Sequence, residues 1–413
     1  MTRQAGGSRG ERSGTRGPAK VLVFIGALDV GGSESDVARN FPRFDRDRFE
    51  VTIAEFNHAG PLGADLDAAG VRVISRRTSE EFRAARRGGR LAELRERAAV
   101  LRWVVGVLRS EDPDITHSVL PHSYVYQIMG AAIAHSRART VMSRRSLNFY
   151  KNTQWLISWL ERLVLHRRVD IVIGNSQAIV GELIAEGVDA HRVRLIYNGI
   201  DLAPYVRSEV ARAAARERLG IERDAFVMIA VGNLHTYKGH RDLIEACAEI
   251  RASLPAGWRL IIAGRDQEGN RATYDALIES LGLGQNVRLL GLVPDVSGLL
   301  LAGDLFVQPS HHEGLPNAVI EAMAASLPVV GTLVGGIPEL VVGASDGAST
   351  AGTTGWLVEP SDSHALALAL ATAASDSALR AAMGRRGRAR AEALFSIERS
   401  VGEYEAIYGE LLP

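Results

Sequence analysis

The sequence predicts an α/β protein built as two Rossmann-like domains facing an interdomain cleft. Three observations carry this expectation. Short β-branched runs alternate with longer helical patterns, as in parallel sheets. The alternation occurs as two similar series without close sequence repetition. The length, 413 residues, exceeds one ordinary core and suits two domains.

In the first series strands are expected at Val21–Leu28, Val51–Phe56, Val71–Ser75, Ile115–Leu120, Thr140–Ser143, Ile171–Asn175 and Val193–Tyr197. In the second they are expected at Phe226–Gly232, Leu260–Gly264, Val287–Leu290, Leu305–Gln308, Pro328–Gly331 and Trp356–Val358. The turn Tyr197-Asn198-Gly199-Ile200-Asp201 and the Arg/Ala-rich helical stretch Ser208–Leu219 separate the two. The expected division is a tail over 1–19, a first domain over 20–200, a second over 201–395, and an amphipathic helix over 396–413. Ligands of such sheets bind beyond the carboxyl ends of the strands, so chemistry is sought there.

Composition excludes several classes. Hydrophobic residues make up 46% and charged residues 23%, as in globular chains. No apolar run approaches the roughly 18 to 20 residues that span a bilayer. Met1–Lys20 lacks the apolar segment of a secretory signal and carries five basic residues against Glu11 alone, so a disordered tail is expected. The single cysteine, Cys247, excludes an internal disulfide and a multi-cysteine metal site, and it fits a cytoplasmic protein. The net charge of zero hides an asymmetry: residues 71–168 hold 19 basic and 8 acidic side chains, an excess of 11. Such a region attracts an anionic membrane face, a lipid-linked phosphate or nucleic acid, unless it is simply the solvated helix face Arg83–Arg109. Nucleic acid is disfavoured, because no stacking aromatics interleave the arginines.

Four segments carry candidate chemistry. The first strand runs into Gly26-Ala27-Leu28-Asp29-Val30-Gly31-Gly32-Ser33-Glu34 ahead of a helical pattern, where Gly31 and Gly32 let backbone N–H groups approach an anion. A P-loop would need Lys at position 32 and a dinucleotide fingerprint would need G-x-G-x-x-G, and both fail. His117 and His122 end a buried strand, where a neutral imidazole can meet a sugar hydroxyl. In Gly232-Asn233-Leu234-His235-Thr236-Tyr237-Lys238-Gly239, Lys238 follows the second domain's first strand and suits a diphosphate. The most specific block is Pro309-Ser310-His311-His312-Glu313-Gly314-Leu315-Pro316-Asn317, continuing to Glu321. Pro316 suits the first helical position, so a helix opens there with its positive end toward the cleft, flanked by two carboxylates for sugar hydroxyls. Three DxD-like triplets (Asp45–Asp47, Asp65–Asp67 and Asp112–Asp114) fall where chance explains them. Trp155–Leu160 reads as a core or interface helix, with a membrane-surface helix as the alternative.

With these motifs in place, the chain resembles glycosyltransferase family four, the retaining GT-B enzymes. The match lies in Gly31-Gly32-x-Glu34, Asn198-Gly199-Ile200-Asp201, Gly232…Lys238-Gly239, the Glu313-to-Glu321 block and Pro328-Val329-Val330-Gly331-Thr332…Gly335-Gly336-Ile337-Pro338-Glu339. It covers about residues 20 to 400. The resemblance implies that Lys238 and the Leu315–Asn317 backbone, including Pro316, hold the donor diphosphate, with Gly314 also among the donor-binding residues. It further implies Glu321 on the ribose hydroxyls, Glu313 on the donor sugar, backbone near Val293 on the base, and Gly32 facing the phosphates from the other domain. The C-terminal helix would cross back onto the first domain. Two departures stand out. Asn233 replaces a usual arginine, for which Arg265 is the expected substitute, and Val119 replaces the second histidine of a His-x-His pair, which favours His122. His117, Arg144 and Arg145 are further candidates for acceptor or sugar contact.

The expected activity is transfer of a sugar from a UDP- or GDP-sugar to a hydroxyl acceptor, such as a lipid-linked or polysaccharide intermediate. His122, Glu313 and Lys238 would be catalytic, without metal or organic cofactor. The expected setting is the cytoplasm, with peripheral attachment to an anionic membrane left open. The alternatives are a sugar phosphorylase, a nucleotide-sugar epimerase, or a binding protein without catalysis.

Overall fold

The computed structural model describes residues 17–29, 31–57, 60–77, 90–119, 121–145, 168–344 and 352–413. Residues 1–16 of the tail, the Trp155–Leu160 stretch and the His122 side chain lie outside the described residues.

The first domain holds β1 (Ala19–Ile25), β2 (Phe49–Glu55), β3 (Arg72–Ser75), β4 (Ile115–Val119), β5 (Arg139–Arg144), β6 (Ile171–Gly174) and β7 (Val193–Leu195). Its helices are α1 (Gly32–Asn40), α2 (Pro61–Ala68), α3 (Arg90–Glu111), α4 (Pro121–Ala134) and α5 (Gln177–Ala185). The strands form one parallel sheet in the order β3-β2-β1-β4-β5-β6-β7. Val21 pairs with Val51 on one side and Ile115 on the other. Helices cover both faces of such a sheet, so central strands are buried throughout; Val21–Ile25 is at most 1% exposed.

The second domain holds α6 (Glu209–Leu219), β8 (Val227–Val231), α7 (His240–Ile250), β9 (Arg259–Ala263), α8 (Arg271–Ser280), β10 (Val287–Gly291), α9 (Val296–Leu301) and β11 (Leu305–Gln308). It continues with α10 (Asn317–Ala324), β12 (Val329–Thr332), α11 (Ile337–Leu340), β13 (Gly343–Ala344), β14 (Gly355–Val358), α12 (Ser363–Ser375) and α13 (Ser377–Leu394). Its parallel order is β10-β9-β8-β11-β12-β14-β13. The two-residue edge strand β13 was not expected, since so short a stretch has no readable period. Helix starts follow the sequence closely: Ser208, Asp362 and Asp376 accept the N–H groups of Ala211, Ala365 and Leu379.

The last helix, α14 (Ile397–Leu411), opens on a Ser396 cap and leaves the second domain. Its Ile397, Val401, Tyr404, Ile407 and Tyr408 join Val21, Val23, Ile25 and Phe41 in the first core. Two chain segments therefore cross between the domains, and they are laced together: Ile200 N–H donates to Phe395 O and Ile397 N–H to Ile200 O, both at 2.9 Å. Only glycine fits at position 199, where a Cβ would stand 2.9 Å from Ile397 Cα. A third tie is the Glu339 carboxylate of α11, which accepts the first N–H groups of α5, from Gln177 at 2.7 Å and Ala178 at 3.0 Å.

Each sheet reverses its winding direction beside its first strand, between β1 and β4 and between β8 and β11. Loops diverge at such a point and leave a crevice. The loops after β1, β8 and β11 supply most of the cleft described next.

Candidate functional site

A cleft of about 400 Å³ separates the domains. Its second-domain wall comes from two loops that nearly touch. Gly239 has φ +67, and a Cβ there would clash with the Pro309 carbonyl, so glycine lets the loop after β8 lie against the loop after β11. Further contacts fix the pair: His311 N–H donates to Tyr237 O at 2.7 Å, and His311 Nε2 lies 2.7 Å from Asp242 Oδ2. His240 Nε2 lies 3.2 Å from Gly232 O and 3.3 Å from Asn233 O. Burial pushes the His240 pKa down to about 4, so the ring is neutral and can donate from Nε2 to these carbonyls.

This packing brings Lys238 Nζ to 2.7 Å from Glu313 Oε1. The same oxygen accepts Gln308 Nε2 at 2.8 Å and Ser310 Oγ at 2.7 Å. The pair is largely shielded, and the two neutral donors keep Glu313 hydrogen-bonded if the ammonium turns to another anion. Beside it α10 opens. Pro316 is the N-cap rather than the first helical residue and no side chain caps the helix, so the first-turn N–H groups face the cleft with the positive helix end. Glu321 lies one turn further along; burial raises its pKa, opposed by the Arg39 guanidinium.

The first-domain wall is assembled from distant residues. Gly31, Gly32, Ser33 and Ser35 open α1, Arg39 follows on the same helix, and Arg145, Asn175 and Asn198 come from beyond β5, β6 and β7. Arg145 meets Asp36 Oδ2 at 2.6 Å, Asn198 Oδ1 at 3.1 Å and the Tyr404 hydroxyl of α14 at 2.6 Å. Burial works against its charge, but the Asp36 carboxylate, together with Tyr404 and Glu34, more than offsets this and holds the guanidinium protonated. Asn198 Oδ1 also accepts Asn175 Nδ2 at 3.0 Å. The Asn198 amide then bridges the cleft, donating to Leu315 O at 3.2 Å and Asn317 Oδ1 at 2.7 Å. Asn317 Nδ2 completes the ring by donating to Gly32 O at 3.3 Å. Arg39 Nη1 makes a second crossing to Glu321 Oε1 at 3.4 Å.

Of the residues expected at the site, the cleft brings together Gly31, Gly32, Asn233, Lys238, Glu313, Gly314, Leu315, Pro316, Asn317, Glu321 and Arg145. Four expectations are corrected. His117 is fully buried, with Nδ1 at 2.6 Å from the Tyr408 hydroxyl and Nε2 at 2.7 Å from Ser143 Oγ. Burial, reinforced by Arg145, lowers its pKa to about 3: it is a neutral core residue that joins α14 to the sheet. Arg144 points to the opposite side of β5 and pairs with Glu186 through two bonds of 2.9 Å. Arg265 does not line the cleft; its N–H donates to Asn233 Oδ1 at 3.2 Å, so Asn233 organises the loop. Val293 lies outside the cleft and packs against the second core. Gln308, Asn175 and Arg39 were missed. Gln308 carried a signal, a polar residue closing a buried apolar strand; Arg39 carried none, since only the domain arrangement aims it at Glu321.

Among the described residues no group of three His, Cys, Asp or Glu side chains is arranged to hold a metal, and no helix is long and apolar enough to cross a membrane.

Comparison with known proteins agrees in both halves. The family model for glycosyltransferase family 4 matches residues 30–204, and the model for glycosyl transferases group 1 matches residues 211–390. The D-inositol 3-phosphate glycosyltransferase of Kineococcus radiotolerans is 34% identical over 232 residues, 54% of this chain and 53% of that protein. The N-acetyl-alpha-D-glucosaminyl L-malate synthase of Bacillus anthracis is 29% identical over 246 residues, 59% of this chain and 60% of that protein. The chain thus spans somewhat more than half the length of these two relatives. The crystal structure of Anabaena HepE in complex with UDP and glucose superposes with a TM-score of 0.78 at 25% identity, covering 95% of this chain and 99% of that one. With both family models matched in sequence and two parallel-sheet domains around one cleft, the chain belongs to glycosyltransferase family 4, in the GT-B fold.

Proposed function

We propose that the protein transfers a sugar, with retention of anomeric configuration, from a UDP- or GDP-sugar to a hydroxyl acceptor bound by the first domain. The observation that carries this reading is the Lys238–Glu313 pair beside the uncapped opening of α10, with Glu321 one turn beyond. A diphosphate suits the ammonium and the first-turn N–H groups of α10, approached from the other side by Gly31 and Gly32. Glu313 then contacts the donor sugar and Glu321 the ribose hydroxyls. His122, whose side chain is not described, is the sugar-contacting histidine of this reading. UDP and glucose in the HepE complex support a nucleotide-sugar donor.

In the reaction the bond from the anomeric carbon to the diphosphate oxygen breaks and a bond to the acceptor oxygen forms. The hydroxyl proton passes to the departing diphosphate. Charge grows on that leaving group, so fixed cations and helix N–H groups stabilise the transition state more than the ground state. No metal or organic cofactor is needed for these steps, and the basic first domain favours an anionic, lipid-linked or polysaccharide acceptor.

The test is a panel of UDP- and GDP-sugars, with and without candidate acceptors, followed by mass spectrometry. Hydrolysis or transfer from one donor class is expected. A protein that neither binds nor cleaves any of them defeats the proposal. Turnover that requires inorganic phosphate would identify a phosphorylase, isomerised donor without acceptor an epimerase, and binding without turnover a non-catalytic protein.

A further inference from the structure

Among the described residues that line the cleft, Lys238 is the one Lys or Arg side chain from the second domain, and three arginines are candidates to join it at a donor diphosphate. Arg265 lies outside the cleft. Arg145 lines it but is committed, held by Asp36, Asn198 and Tyr404 with only Nε unpaired. Arg39 differs from both. It lines the cleft, and among the described residues its guanidinium is anchored only by the 3.4 Å contact to Glu321. Its Nε and Nη2 are shielded from solvent and have no hydrogen-bond partner among the described residues. Leaving a charged donor desolvated and unpaired is costly, and two of them on one edge of a guanidinium that lines a cleft suit an anion with two oxygens to offer.

Position says which anion. Glu321 stands four residues after Asn317, one turn along α10 from the helix opening. If Glu321 takes the ribose hydroxyls and the helix opening takes the distal phosphate, the phosphate esterified to the ribose falls between them. That is within reach of the arginine already touching Glu321. The Nε and Nη2 edge of a guanidinium presents two parallel donors, which matches two phosphate oxygens.

We propose that Arg39, on the first domain, is the second cation of the donor site and binds the ribose-proximal phosphate across the cleft. The inference rests on the nucleotide-sugar reading above. It adds a first-domain charge to the Gly31 and Gly32 backbone in holding the donor, so donor affinity depends on the two walls standing together.

The full-length chain and its Arg39→Met and Arg39→Lys variants are titrated with UDP, UMP and uridine, and with GDP, GMP and guanosine. Arg39→Met is expected to weaken the preferred di- and monophosphate at least about tenfold, and the nucleoside by less than about twofold. Arg39→Lys, which keeps the charge but loses the fork, should fall between. Di- and monophosphate affinities unchanged in Arg39→Met overturn the inference alone. Equal weakening of nucleoside and nucleotides also overturns it, because the arginine would then act through Glu321 or the fold. A wild-type chain that binds neither UDP nor GDP overturns the donor reading, and this inference with it.

Discussion

The two walls of the cleft are built by opposite means. On the second-domain side, Lys238 from the loop after β8 meets Gln308, Ser310 and Glu313 from the end of β11 and its loop, through short, direct bonds around one carboxylate oxygen beside the start of α10. On the first-domain side, Arg39, Arg145, Asn175 and Asn198 come from four separate segments, and Arg145 needs a hydroxyl from a helix more than 250 residues away. The near wall is a preformed electrostatic device. The far wall is a network whose geometry depends on the whole first domain and on α14. Damage should therefore differ in kind: local chemistry on one side, coupled stability on the other.

The sharpest test of that contrast is Lys238→Ala. It removes the ammonium beside the proposed diphosphate while Gln308 and Ser310 still satisfy Glu313, so the fold should survive. Steady-state kinetics on the donor found in the panel should show kcat/KM lower by about 100-fold, or about 2.7 kcal/mol. A variant within about threefold of wild type would show that the near wall is not the electrostatic centre.

Acid should weaken both regions, through one buried histidine in each. His117 and His240 have folded pKa values near 3 and 4, below the ordinary 6.5. The unfolded chain therefore binds protons that the folded chain does not, and stability falls as pH drops below 6.5. At pH 5 each histidine should cost about 2 kcal/mol, measured by urea unfolding at pH 7 and pH 5. His117→Gln should flatten this dependence for the transition that involves the first domain. An unchanged pH slope in that variant would mean that water reaches the ring.

The smallest expected effect concerns the tie between the regions. Glu339→Gln removes a charge from the N-terminus of α5 and should lower the thermal stability of the first domain by about 1 kcal/mol, read by calorimetry. If only the second domain's transition shifts, the carboxylate serves its own helix and not its neighbour's.

Much of this molecule was legible in its sequence. The strand runs gave both sheets except the two-residue β13, and the second-domain site was readable because its residues lie in two short segments at the ends of strands. Helix α10 opened one residue later than expected, since Pro316 serves as the cap. The first-domain wall was legible only at Gly31, Gly32 and Arg145. His117 and Arg144 shared the same local credentials, polar groups at the ends of buried strands, yet strand alternation and the docking of α14 turned one into the core and the other toward Glu186.

The sequence by itself determined what is local: which segments become strands, where helices open, and which loop carries a lysine and which a carboxylate. Periodicity, capping and turn chemistry act over a few residues, and they leave their mark in neighbouring letters. Only the tertiary structure decided that Arg39 faces Glu321, that Asn198 spans to Asn317, and that Arg145 is spent on Asp36. Those pairings are separated by 282, 119 and 109 positions, and they exist because two sheets and a returning helix pack in one particular arrangement.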